Sequence, residues 1–126
     1  MADQNQTIPI YTSRGDSEAY LVYPYIYNKQ GEWIGWISPN RKVFSVFGHY
    51  VGWLAEGPRI LRKIADGYML PKRYIPHPPE LRIAPLANVP LAPMMSELTF
   101  STIDVLLDQP ELLPALDFGE MREDMD

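Results

Sequence analysis

Between Ile8 and Leu54 short apolar runs are broken by polar, glycine-containing stretches, and the same order returns three times. Ile10-Tyr11, Gly15 and Ala19-Tyr20-Leu21 align with Ile26-Tyr27, Gly31 and Gly35-Trp36-Ile37. Both align with Val43-Phe44, Gly48 and Gly52-Trp53-Leu54, at a spacing of sixteen to seventeen residues. Each unit reads aliphatic, aromatic, polar up to a glycine, then small, aromatic, aliphatic. The β-branched and aromatic runs predict strands. Arg14-Gly15-Asp16, Asn28-Lys29-Gln30-Gly31, Ser38-Pro39-Asn40 and Gly48-His49 predict the tight turns between them. A unit this short cannot bury its own apolar face, so its copies must pack on one another.

Alternation along a strand sets Trp33, Gly35 and Ile37 against Ile34 and Trp36, and Tyr50, Gly52 and Leu54 against Val51 and Trp53. A small residue recurs in mid-strand at Ala19, Gly35 and Gly52, where it weakens the strand unless something needs the space. Close packing of rings or neighbouring strands is the expected use, and room for a ligand is the alternative. A fourth unit is arguable. Pro58 to Ile64 leads to an Asp66-Gly67 turn and Tyr68-Met69-Leu70, but Pro71-Lys72-Arg73 stands where the small-aromatic-aliphatic triplet belongs. Residues 60–65 also fit a short amphipathic helix with Arg59, Arg62 and Lys63 outside. A degenerate closing hairpin is preferred, since terminal repeats are commonly atypical.

After Tyr74 the pattern stops. Seven of the thirteen prolines fall between Pro71 and Pro93, a density that disfavours helix and central strand and predicts an extended strap. Its apolar content predicts that it lies across the β-domain or a partner subunit. Ser101-Thr102 can cap a short helix from Ile103 to Asp108, stopped at Pro110, with a further turn over Glu111 to Leu116. The expected divisions are therefore a hairpin-repeat domain at 8–74, a proline-rich strap at 75–99, and a short helix with an acidic tail at 100–126. The fold class is mainly β: three to four hairpins forming a small pseudo-symmetric barrel or flower.

Composition narrows the partners. The net charge is −5 and no basic run occurs, which suits nucleic acid poorly. No cysteine is present, so disulfides and thiolate metal sites are excluded. The polar start, Met1 to Gln6, has neither the basic nor the apolar region of a signal peptide, and no apolar run approaches a membrane span. A soluble cytoplasmic protein is the expectation.

The units Gly31-Glu32-Trp33-Ile34-Gly35-Trp36-Ile37 and Gly48-His49-Tyr50-Val51-Gly52-Trp53-Leu54 resemble the bacterial proteins named for a four-fold β-flower domain. The resemblance extends over roughly Ile8 to Pro93, proline-rich exit included. It implies four hairpins set as petals about a pseudo-four-fold axis, and it brings no catalytic residues with it. A small glycine-aromatic barrel of the PRC type is the structural alternative.

Chemistry is sparsely signalled. The two histidines, His49 in a turn and His77 between prolines, lack the paired spacing of a metal site. No nucleophile elbow, phosphate-cradling loop or zinc-protease motif occurs. No cofactor is expected. Asp16, Glu18, Glu32 and Glu56 read as solvated turn acids, and Glu56 with Arg59, Arg62 and Lys63 as a surface charge cluster. The aromatics carry the functional hint: Tyr20, Trp33, Trp36, Tyr50 and Trp53 are candidate pocket residues as well as core. The sequence thus favours a non-enzymatic binding or assembly module, joining copies of itself or another protein. Its interface would use Ile83, Leu86, Val89 and Leu91 of the strap, or Ile103, Leu106, Leu107, Leu112 and Leu113 of the tail. The alternatives are a small-molecule binder or enzyme with an aromatic cleft near Trp36 and Trp53, or a proline-rich ligand for a groove on another protein.

Overall fold

A computed structural model describes residues 6–65, 84, 86 and 88–115. Its strands are β1 (Ile8–Tyr11), β2 (Ser17–Val22), β3 (Tyr25–Asn28), β4 (Trp33–Ile37), β5 (Lys42–Ser45), β6 (Tyr50–Ala55), β7 (Arg59–Lys63) and β8 (Thr102–Asp104). They form one eight-stranded sheet in chain order, each strand antiparallel to the next. A four-residue helix, α1 (Val105–Asp108), and a 3-10 turn at Pro110–Leu112 follow. The sheet curls: the Tyr11 N–H reaches the Pro58 carbonyl at 2.8 Å, bringing the first strand to the β6–β7 turn.

The repeat is carried by turn chemistry. Thr12, Asn28 and Ser45 open like turns, closed by N–H bonds from Gly15, Gly31 and Gly48 to their carbonyls at 2.9, 3.0 and 2.9 Å. Their side chains accept the N–H two residues on, at 3.2, 3.0 and 3.2 Å. The three glycines hold φ of 93, 84 and 87°, a left-handed conformation costly for other residues. A left-handed residue after such a turn forces a bulge. The register accordingly slips at the same step of each unit: Ile10/Tyr11, Ile26/Tyr27 and Val43/Phe44.

One aliphatic residue per unit, Ile10, Ile26, Val43 and Ile60, is completely buried. With Ala19, Leu21, Ile34, Ile37, Val51 and Leu54 they build the main core, which Val105 and Leu113 complete from the far end of the chain. Burying each such aliphatic side chain is worth about 1.5–3 kcal/mol. A second cluster gathers Tyr27, Trp33 and Val46. The small mid-strand residues make room for backbone. A methyl on Gly52 would collide with the Leu61 carbonyl oxygen, and one on Gly35 would lie 2.5 Å from that of Phe44.

Three expectations change here. Residues 59–63 form a strand, in line with the preferred reading of this stretch, but Arg59 and Arg62 are buried at 4% exposure each and do not stand in a surface charge cluster. β7 takes β8 as its partner, pairing Leu61 with Asp104, Arg62 with Ile103 and Lys63 with Thr102; the Asp66-Gly67 turn and its return lie outside the described residues. The tail helix begins at Val105, because Thr102 and Ile103 satisfy the β7 edge and the Asp104 carboxylate does not cap the helix.

A candidate binding cleft at the seam of the sheet

Cross-strand register arranges the aromatics in rows. Tyr20 pairs with Tyr27 and Tyr27 with Trp33. One unit on, Trp36 pairs with Phe44 and Phe44 with Tyr50. Trp36 stacks on Phe44 with centroids 4.5 Å apart and planes at 18°, and Phe44 meets Tyr50 edge-on at 5.9 Å. One unit further, Trp53 pairs with Leu61 and Leu61 with Asp104. There the row loses its second and third rings, and Trp53 has no ring partner among the described residues.

A cleft of about 430 Å³ opens at that place, within the range that small ligands or side chains occupy. Trp53, Leu61 and Arg59 line its sheet side; Met94, Met95 and Thr99 are among its residues on the other. Glu56 and Glu97 add carboxylates. The far wall is tied to the sheet by Arg59, whose Nη2 donates to the Ser96 carbonyl at 2.6 Å. The Tyr11 hydroxyl donates to the Pro90 carbonyl at 2.7 Å. The Met95 sulfur packs where Gly57 lacks a side chain; a Cβ there would lie 2.8 Å away.

Beside the cleft a half-buried polar seam joins the turn after β1 to β7 and β8. Asp104, 1% exposed, accepts through Oδ2 from the Ser13 N–H and hydroxyl, both at 2.6 Å. Arg59 Nη1 donates to the same hydroxyl at 2.8 Å, so cation, hydroxyl and carboxylate form one chain. Asp104 Oδ1, Arg59 Nε and Ser17 Oγ have no hydrogen-bond partner among the described residues. The guanidinium is committed to structure, and the cleft walls present apolar surface with acidic groups among them. Elsewhere, burial and then the adjacent Tyr25 push the Tyr27 phenol above its ordinary range.

Of the five candidate pocket aromatics, Trp53 lines this cleft. Tyr20 is buried, and Trp33 donates its indole N–H to the Gly35 carbonyl at 2.7 Å while meeting Tyr25 edge-on. Trp36 and Tyr50 flank Phe44. Of the candidate interface residues, Leu91 is 96% exposed, whereas Leu86, Val89, Ile103 and Leu107 are half-buried. Leu106 and Leu112 pack on the core, Leu113 is buried within it and so is no surface residue, and Ile83 lies outside the described residues. Ser13, Asp104 and Met95 escape the sequence reading, since each acquires its place through residues remote in the chain; Phe100 escapes it as a single exposed ring in a local turn. No three His, Asp or Glu residues gather as a metal site would need among the described residues. No helix among them is long and apolar enough to cross a membrane.

A family model described as "4-fold beta flower protein" matches residues 8–103. No curated protein and no solved structure matches the chain significantly.

Proposed function

Because the chain belongs to the 4-fold beta flower proteins, a family matched here through the repeated sheet, we propose that it is a non-enzymatic assembly module that joins copies of itself. One observation carries this reading. Leu91, Met94 and Phe100 are 96, 102 and 97% exposed, although the segment bearing them is tied down. Pro90, Ser96 and Ser101 all have their carbonyls bonded to the sheet region, the last by the Ile64 N–H at 2.9 Å. Large apolar side chains held out by an anchored backbone mark a contact surface. The architecture is read the same way: β7 and β8 make the fourth unit, and residues 88–99 form a strap over its seam with the first.

The test is the full chain carrying Leu91→Ser, Met94→Ser and Phe100→Ser together, with mass measured by light scattering. The wild type is expected to associate, and the triple variant to be monomeric with the wild-type circular dichroism spectrum and a thermal midpoint that no longer depends on concentration. A wild type that stays monomeric at every concentration contradicts the reading. Deleting the tail is a poorer test, because Val105 and Leu113 belong to the core. The cleft beside Trp53 favours a second reading, a small-molecule binder. Saturable quenching of tryptophan emission by retained or added aromatic ligands would support it.

A further inference from the structure

We infer that the cleft beside Trp53 is filled by the Phe100 ring of a second copy of this chain, and that the contact is reciprocal; this rests on the assembly reading above. The repeat defines what is missing. Where the row is intact, Trp36 is covered by the Phe44 ring at 4.5 Å. Trp53 holds the same position one unit later, but its cross-strand neighbour is Leu61 and the next is Asp104. A lost ring leaves room for a ring, in a cleft lined by Trp53, Met94 and Met95, side chains of types that favour aromatic contact.

The chain also offers a ring with nowhere to go. Phe100 sits in a turn closed by the Thr102 N–H to the Thr99 carbonyl at 3.0 Å. The Thr99 hydroxyl bonds those of Ser101 at 3.0 Å and Thr102 at 3.1 Å. That turn leaves Phe100 97% exposed. Thr99 and Thr102 both line the cleft, so the ring stands beside the opening and outside it. A knob and a hole on one surface satisfy each other in a two-fold pair, each copy giving its ring and receiving its partner's. Covering Leu91, Met94 and Phe100 removes on the order of 500 Å² per copy, or roughly 1,000 Å² per pair, which reaches the threshold of a specific interface.

Sedimentation of the full chain over a concentration series tests this, with Phe100→Ala, Phe100→Tyr and Leu61→Phe as variants. The wild type should dimerise, and its tryptophan emission should shift with association. Phe100→Ala, at an exposed position that does not tax folding, should raise the dissociation constant by about tenfold or more and abolish the emission shift. Phe100→Tyr should keep both. Leu61→Phe supplies the absent ring in cis and should weaken association as well. If Phe100→Ala dimerises like the wild type with the same emission shift, the ring contact is wrong while self-association stands. A wild type that never dimerises removes both.

Discussion

A methyl group at Gly52 would run into the Leu61 carbonyl, and Gly35 faces the Phe44 carbonyl in the same way. Backbone cannot retreat as a side chain tip can, so the cost is overpacking. Gly52→Ala should destabilise the fold by about 2–3 kcal/mol in a denaturant titration; equal midpoints would refute the close approach. Ala19 holds the equivalent place in the first unit and is completely buried, so a methyl is accommodated there. The recurrence of a small residue is plain in the sequence, but what occupies the space is not, because the intruding carbonyl belongs to another strand. A second residue-scale test concerns Tyr27, whose phenol is pushed above the ordinary tyrosine range by burial and then by Tyr25. Unfolded, it ionises first, so its contribution to stability is full below pH about 10 and is lost as pH rises through the folded-state value. Tyr27→Phe should lose less stability than the wild type across that alkaline window. Parallel losses would contradict the burial argument.

The first three strand pairs are legible from the chain because their instructions are local. Thr12, Asn28 and Ser45 each bond their own turn, and a glycine three residues on supplies the left-handed step. The fourth is not, since the partner of β7 comes from residues 102–104, with the proline-rich stretch between. Polarity alone places Arg59 and Arg62 outside; they turn inward because carbonyls of Ser96 and Val51 accept from them at 2.6 and 2.8 Å. Asp104 is the element-scale lock. Asp104→Ala strips the Ser13 N–H and hydroxyl of their acceptor and removes a buried anion near Arg59, at a cost of about 3 kcal/mol. In hydrogen exchange, the β7 and β8 amides should lose protection together while β2 to β5 keep theirs. Uniform exchange over the whole sheet would show that the seam is not a separate unit.

At the scale of the molecule, the repeat produces both the core and its defect. Ile10, Ile26, Val43 and Ile60 meet inside, with Val105 and Leu113 closing what the last unit leaves open. The same degeneration that admits β8 drops two rings from the third aromatic row and opens the cleft by Trp53. The sequence contains the aromatics but gives no sign of which row is incomplete, because that depends on register. It likewise places Leu91 among apolar strap residues without distinguishing it from Val89, which is half-buried. The most direct measurement is the mass of the full chain in solution by light scattering during serial dilution. The account predicts a species of twice 14.5 kDa that falls toward 14.5 kDa as the protein is diluted. A constant 14.5 kDa from the most concentrated sample onward would contradict it.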